Sequence, residues 1–256
     1  MIRIDDTRVA TLFRCRLLVV LCTALCSPPL LAGPLLTPHS AVYEVRVSLV
    51  GGQLKTRLEA TADGYLATHV IKPTGISGLV ASGRIRETSE FHLAQDGVRP
   101  SEYSTRDTLT PERTKASIQF DWDSGEARGT VNGENVVSVM NAIAHDHVSI
   151  QYQLMHDLLQ GDPDTQYTMF EIDRLRTVNV RIIGSKKVDV PAGTYEAIGI
   201  QHQAEGSKRV TTLWCVEELG YLPVVIEQHR KGELRVRATL SRYSPRAGSS
   251  LVGSMQ

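Results

Sequence analysis

The sequence is poor in cysteine, which limits how its fold can be held together. It contains four cysteines in 256 residues, and Cys15, Cys22 and Cys26 all lie before residue 33. The rest of the chain keeps only Cys215, so no disulfide can form within it. Its stability must come from an apolar core, and a hydrophobic content of 41% can supply one. We expect Cys215 to be buried beside Trp214 rather than exposed and reactive.

Neither sign of charge is in excess. Lysine plus arginine number 28, and aspartate plus glutamate also number 28. Residues 1–32 hold four of the basic and two of the acidic residues, which leaves 24 basic and 26 acidic residues in the remainder. This balance gives no electrostatic reason to expect nucleic acid as a partner. One hairpin near the C-terminus is locally basic, and it suits either anionic lipid head groups or, as we favour, a solvated outer face: His229, Arg230, Lys231, Arg235, Arg237 and Arg242.

The motifs of known catalytic and metal sites are also missing. No serine has the glycine spacing of a nucleophile elbow. His145, His147 and His156 lack the His-Glu-x-x-His zinc spacing, and His156 lies too far along the helix to share an ion with the other two. We therefore predict no metal, no cofactor and no catalytic residue, and we favour a protein that is not an enzyme. A hydrolase without a recognisable motif, for example one that uses Cys215 and His202, is a further alternative.

The N-terminus has the layout of a secretory signal peptide. Arg14 and Arg16 precede an apolar run from Leu17 to Cys26, and Ala32 offers a small residue for cleavage. The apolar run is shorter than the about 20 residues that a membrane span needs. We predict that residues 1–32 are a signal peptide and that the mature protein is periplasmic. The alternative is an uncleaved N-terminal membrane anchor with the domain facing the periplasm.

Alternation of apolar and polar residues predicts a chain made mainly of β-strands. In the first strand Tyr43 and Val45 share one face, while charged residues occupy the other. The pattern recurs with short hairpin turns and gives about a dozen strands. We expect a single β-rich domain over residues 40–243, preceded by a linker at residues 33–39. A disordered tail is expected at residues 244–256.

One segment has a helical period instead. Ile150, Leu154 and Leu158 recur every four residues, and the Asp146 carboxylate can accept hydrogen bonds from amides at the first turn. These features predict one long α-helix at residues 146–160. A lone amphipathic helix among strands must bury its apolar stripe on the sheet. The predicted fold is therefore mostly β: a single antiparallel curled sheet, or open β-barrel, of about a dozen strands wrapped around one long helix.

Several short motifs together resemble a known family. The helix carries D-x-x-S-x-x-Y-Q-L from Asp146 to Leu154, and the other motifs are G-V-R-P-x-x-Y at Gly97–Tyr103, F-D-W at Phe120–Trp122, V-P-A-G-T-Y at Val190–Tyr195 and L-P-V-V-I-E at Leu222–Glu227. The combination resembles the proteobacterial cell-envelope family catalogued as domain of unknown function 3108, over roughly residues 41–243. The resemblance implies export and a strand-rich domain. It implies no established activity and no catalytic residue.

Two functional hypotheses follow for an exported envelope protein. The first is a binding module whose curled sheet holds a lipid-like or apolar ligand in a groove. The second is a structural or scaffolding module that binds an envelope protein at an edge or rim of the sheet. For the first hypothesis we predict a shallow, partly open groove lined by these residues: Ile76, Leu79, Val80, Tyr152 and Trp214.

Overall fold

The computed structural model describes most of the predicted domain, namely residues 36–48, 50–75, 78, 82–161, 163–171 and 174–246. The predicted signal peptide lies outside the described residues, as does the end of the predicted tail. Leu36, within the predicted linker, is buried, and strand structure begins at His39. At the other end strand structure continues to Pro245, two residues beyond the predicted domain.

Fifteen strands and one α-helix make up the described part of the chain. The strands before the helix are β1 (His39–Val47), β2 (Val50–Ala60), β3 (Tyr65–Pro73), β4 (Ile85–Ala94), β5 (Gly97–Asp107), β6 (Lys115–Asp121), β7 (Glu126–Val131), β8 (Glu134–Val139) and β9 (Ala144–His145). The helix, α1, covers Ser149–Gln160. The strands after it are β10 (Gln166–Glu171), β11 (Arg174–Val190), β12 (Gly193–Ala204), β13 (Arg209–Val216), β14 (Leu222–Arg230) and β15 (Glu233–Pro245).

All of these strands belong to one curled sheet. The chain enters at the middle of the sheet, runs outward from β1 to β8 at one edge, crosses to β9 at the other edge, and returns to β15, which pairs with β1. β9 also contacts β5 from the first half, which shows how strongly the sheet curls. The prediction of a mostly β fold built on a single curled sheet is confirmed, but there are 15 strands rather than about a dozen. The pairing of β9 with β10 is parallel, so the sheet is not wholly antiparallel.

The prediction of one long helix at residues 146–160 was wrong, because α1 has only 12 residues. Asp146 lies before the helix rather than inside it. Its fully buried carboxylate accepts hydrogen bonds from the amides two and three residues later, at 2.8 and 2.9 Å, and from the Ser89 hydroxyl at 2.7 Å. These bonds hold the chain in a turn, so the helix starts three residues later than the apolar period suggested.

Gln153 fixes α1 to β5. Its side-chain oxygen accepts a hydrogen bond from the Val98 amide at 2.6 Å, and its NH2 group donates to Asp157 at 2.7 Å. The other carboxylate oxygen of Asp157 accepts from the Tyr167 hydroxyl at 2.7 Å. A Cβ atom at Gly97 would stand 2.5 Å from the Gln153 side-chain oxygen, and its φ of +119° also favours glycine. Two of the motifs that carry the family resemblance therefore hold each other in place.

α1 separates two apolar clusters inside the curled sheet. One side of the helix, including Tyr152 and Met155, packs into the larger cluster, which spans most of the sheet. The other side, through Leu154 and Leu158, packs into a smaller cluster formed by β10–β13: Tyr167, Val178, Val180, Ile200, Leu213 and Cys215. The space on this second side is only partly filled by side chains.

Candidate functional site

A cavity of about 630 Å³ lies between the start of α1 and the inner face of β10–β14. Strand register explains how distant residues form one wall. Val180, His202, Thr211 and Gln228 are successive cross-strand partners on β11, β12, β13 and β14, and all four line the cavity. Cross-strand partners share a face of the sheet, so these side chains point into the same space.

Part of the lining of this cavity is apolar. Ile150 and Leu154 face it from α1, and the strands add Met169, Val178, Val180, Leu213 and Ile226. A polar ligand atom placed among these side chains would lose its hydration without gaining a hydrogen bond. This part of the cavity therefore suits an apolar group.

Charged side chains surround the opening, at the end of the sheet where β12 turns into β13. Arg176 forms an ion pair with Glu171, with 2.5 Å between Nε and Oε2. Lys208, Arg209 and Arg230 also line the cavity and are exposed. None of these three forms an ion pair with a described carboxylate, and basic side chains outnumber acidic ones in the lining of the opening. We call Lys208, Arg209 and Arg230 the basic rim.

A second cavity of about 250 Å³ adjoins the first. Leu154 and Val180 line both, so these two side chains stand between the two spaces. The apolar lining of the second cavity continues with Leu158, Ile182 and Ile200. Together the two cavities follow α1 from Ile150 to Leu158, a distance of about 12 Å at the helical rise.

One polar group faces the larger cavity from the helix side. His147 Nδ1 lies 3.7 Å from Glu87 Oε1, which also accepts a hydrogen bond from the Tyr103 hydroxyl at 2.7 Å. Burial opposes protonation of His147, but its interaction with the Glu87 carboxylate outweighs burial and raises the pKa. On the opposite wall burial lowers the pKa of His202 to about 4, so this ring is neutral at pH 7. A positive charge on His147 would thus be balanced by the Glu87 carboxylate beside it.

Neither of the two predicted ligand-binding residues that the structure describes lines this cavity. Tyr152 is fully buried in the larger apolar cluster, on the other side of α1. Trp214 lies outside both cavities, with the Lys186 ammonium 3.8 Å from its ring centroid. The remaining three lie outside the described residues, so their role stays a prediction: Ile76, Leu79 and Val80.

The other candidate chemistry finds no geometric support. No three or more of the described histidine, cysteine, aspartate and glutamate residues are grouped so that they could hold a metal ion. Cys215 is buried, and burial raises the pKa of its thiol to about 12. The cross-strand partner of His202 is Thr211, four residues from Cys215. At the strand rise this separates Cys215 from His202 by about 13 Å, too far for a nucleophile and its base.

Sequence reasoning missed most of the basic rim. It identified the basic C-terminal hairpin, but only Arg230 of that hairpin lines the cavity. Arg235 and Arg237 instead form ion pairs with Glu233 and Glu227. The sequence did hold a signal at residues 208–209, where two basic residues begin a strand. Only the pairing of β13 with β14 shows that they meet Arg230.

Comparison with known proteins identifies the family. The family model described as "Protein of unknown function (DUF3108)" matches residues 42–239. This match covers more than half of the chain, so the chain belongs to that family, as its motifs predicted. No curated protein matches the chain.

Two solved structures are similar in fold. The β-barrel-like protein of domain of unknown function DUF1849 from Brucella abortus has a TM-score of 0.55 and 11% identity, over 83% of this chain and 99% of that chain. A protein with a YmcC-like fold from Bacteroides fragilis has a TM-score of 0.31 and 13% identity, over 83% of this chain and 98% of that chain. The first supports the β-barrel-like fold alone, and the second is too distant to support an argument. Within the described ranges, no helix has the length and apolar character to cross a membrane.

Proposed function

We propose that this protein is an exported, non-catalytic cell-envelope protein that binds a lipid-like ligand in the cavity between α1 and β10–β14. The observation that carries the proposal is a cavity of about 630 Å³ that has an apolar part to its lining and charged side chains at its opening. Cavities of this size with apolar walls are typical of small-molecule sites. Unfilled apolar space lowers the stability of a fold. A protein that has no disulfide and keeps such a space therefore favours a ligand that fills it.

The expected binding energy is consistent with this proposal. Removing a methylene group from water contributes about 0.8 kcal/mol. An acyl chain that buries about eight methylenes would thus gain roughly 6 kcal/mol, before the contribution of its head group. Binding to a preformed site avoids the cost of ordering the protein, which leaves more of this energy as affinity.

Export is supported by the sequence pattern before residue 33. The basic residues, the short apolar run and Ala32 together predict cleavage by a signal peptidase. N-terminal sequencing of protein recovered from the periplasm should give a start near Gly33. Recovery of the intact N-terminus in a membrane fraction would support the anchored alternative instead.

Displacement of a fluorescent fatty acid from the delipidated protein tests ligand binding. Ala204 lines the cavity, so Ala204→Phe places a ring in the space that the ligand would occupy. We expect this variant to bind the probe at least about tenfold more weakly without a lower thermal midpoint. Ala60→Phe is the matched control, because Ala60 is exposed on β2 and does not line either cavity.

The probe must carry the signal, because neither tryptophan lines the cavities. Native mass spectrometry of protein purified from its own envelope adds an independent measurement and should show a retained lipid-sized mass. If Ala204→Phe, Ala60→Phe and the original protein all bound the probe equally, any bound lipid would lie outside this cavity. No binding of any amphiphile to the original protein would reject the proposal.

A scaffolding function is the second candidate, supported by the exposed edge of the sheet. β8 is the outermost strand at that edge, and its Val137 and Val139 side chains are 64% and 62% exposed. An uncovered edge strand can accept a strand from another protein. Val139→Lys should then abolish cross-linking to an envelope protein without affecting the fluorescent probe. Unchanged cross-linking would argue against this edge as the interface.

A further inference from the structure

We infer that the ligand of the cavity is an anionic amphiphile, whose carboxylate or phosphate head binds at the basic rim while its apolar tail enters the cavity. This inference rests on the proposed function and specifies its ligand class. It is carried by three side chains that combine two properties: each lines the cavity, and none forms an ion pair with a described carboxylate.

The strongest element of the basic rim is a pair of facing arginines. Arg209 at the start of β13 and Arg230 at the end of β14 are direct cross-strand partners. Like charges placed opposite each other on neighbouring strands repel and destabilise the pairing. Lys208 adds a third positive charge next to them. An anion held between these side chains would remove the repulsion, and arginine can bind a carboxylate or phosphate through two parallel hydrogen bonds.

Other arginines of the sheet show how such repulsion is relieved within the protein. Arg46 and Arg237 are also direct cross-strand partners, on β1 and β15. There Glu227 lies 3.4 Å from Arg237 and supplies the compensating charge. At the larger cavity, Arg176 is compensated by Glu171. Neither Arg209 nor Arg230 forms an ion pair with a described carboxylate; Glu233, the cross-strand partner of Arg230 on β15, is ion-paired with Arg235. Arg86 and Arg106 on β4 and β5 also face each other without such an ion pair, but they lie outside the cavity.

The position of the rim fixes how the ligand would lie. Arg209 and Arg230 share their strands with Leu213 and Ile226, which lie four residues deeper on the same face and line the apolar interior. At the strand rise this spacing is about 13 Å. A head group at the rim therefore directs a tail past Leu213 and Ile226 toward Leu154. A free fatty acid and an anionic phospholipid both have this chemistry.

Competition against the fluorescent fatty acid distinguishes these ligands. The competitors are a fatty acid, a fatty alcohol of equal chain length, a lysophosphatidylglycerol and inorganic phosphate alone. We expect both anionic amphiphiles to compete about tenfold or more better than the alcohol, because a hydrogen bond to a charged group contributes about that factor. Their order would show which head group the rim prefers. Inorganic phosphate alone should not displace the probe.

The double variant Arg209→Gln/Arg230→Gln tests the rim directly. It should reduce the affinity for the anionic amphiphiles to that of the alcohol and leave the alcohol unchanged. Arg86→Gln/Arg106→Gln is the matched control, since it removes the same charge from another facing arginine pair, on β4 and β5, outside the cavity. Added salt should weaken the binding of anionic amphiphiles to the original protein, but not to the Arg209→Gln/Arg230→Gln variant.

Two results would overturn this inference and leave the proposed function standing. One is equal competition by the alcohol and the anionic amphiphiles, and the other is an equal effect of the two double variants. Failure of every amphiphile, including the alcohol, to compete or bind would instead reject the proposed function itself. Displacement by inorganic phosphate at the same concentrations would show that the tail is not required.

Discussion

Asp146 tests how the helix is held in place. Removing its carboxylate should lower the stability of the protein strongly, whereas replacing the carboxylate by an amide should change the stability little. The side chain is fully buried and receives three hydrogen bonds, from two backbone amides and the Ser89 hydroxyl. Asp146→Ala leaves all three donors buried without an acceptor. Each such group costs about 1–3 kcal/mol. We expect a total loss of about 3–5 kcal/mol, allowing for some relaxation.

Asp146→Asn should preserve the same turn. Its side-chain oxygen can accept from both amides, and its NH2 group can donate to the Ser89 oxygen once that hydroxyl rotates. Burial raises the pKa of Asp146, since the charged form is desolvated and the hydrogen bonds only partly offset this. The asparagine variant avoids that cost, and we expect its stability at pH 7 to lie within about 1 kcal/mol of the original. A raised folded-state pKa means that the original protein gains stability relative to this variant as the pH falls toward the unfolded pKa.

Urea unfolding followed by circular dichroism gives the free energies for both variants. Asp123→Ala, at an exposed aspartate, is the control and should change stability by less than about 0.5 kcal/mol. If Asp146→Ala cost less than about 1 kcal/mol, the carboxylate could not be satisfying three buried donors. If the asparagine variant were as unstable as the alanine variant, charge rather than hydrogen bonding would hold the turn.

Four further outcomes test the packing and electrostatics. Leu154→Ala should cost about 2–5 kcal/mol in urea unfolding, nearer the lower figure because Leu154 already borders two cavities, and a cost below about 0.5 kcal/mol would contradict its burial. Gly97→Ala should destabilise the protein by more than about 1 kcal/mol and weaken α1 docking, since the new Cβ meets the Gln153 side chain at 2.5 Å; a stabilised variant would contradict this contact. Burial lowers the pKa values of His69 and His145 to about 4. The unfolded chain therefore binds more protons between pH 6.5 and about 4, and stability should fall with decreasing pH across this window by up to about 1.4 kcal/mol per pH unit for each histidine. Cys215 should react with a thiol reagent only at the rate of unfolding, measured by mass spectrometry, and fast labelling in the native state would contradict its burial.

The sequence alone determined the fold class and the family. Alternation over residues such as Tyr43 and Val45 identified strands because one face of a curled sheet must meet a core and the other meets water. The period through Ile150, Leu154 and Leu158 identified α1 for the same reason. The two-residue strand β9 was missed, since alternation has no meaning over so short a segment. The helix start was placed too early because the carboxylate that accepts from its first amides lies three residues before the helix.

The location of the cavity was decided only by tertiary structure. Trp214 was predicted to face inward with its alternate neighbours, but β13 is buried on both faces, so alternation could not tell which face borders the helix. The register shift beside Trp214 further breaks the simple alternation. The cavity instead receives the opposite set, including Thr211 and Leu213.

The basic rim depends on pairing between strands in the same way. Arg209 and Arg230 are 21 residues apart in the sequence, and nothing local distinguishes them from the other exposed arginines of the C-terminal strands. The β13–β14 register places these two arginines opposite each other, next to the apolar residues Leu213 and Ile226 of the cavity. The spacing of apolar residues along the sequence predicts which residues are buried, because each strand or helix turns one face toward the core with its own period. Which buried faces meet, and where they fail to fill the space between them, follows only from how the sheet curls around the helix.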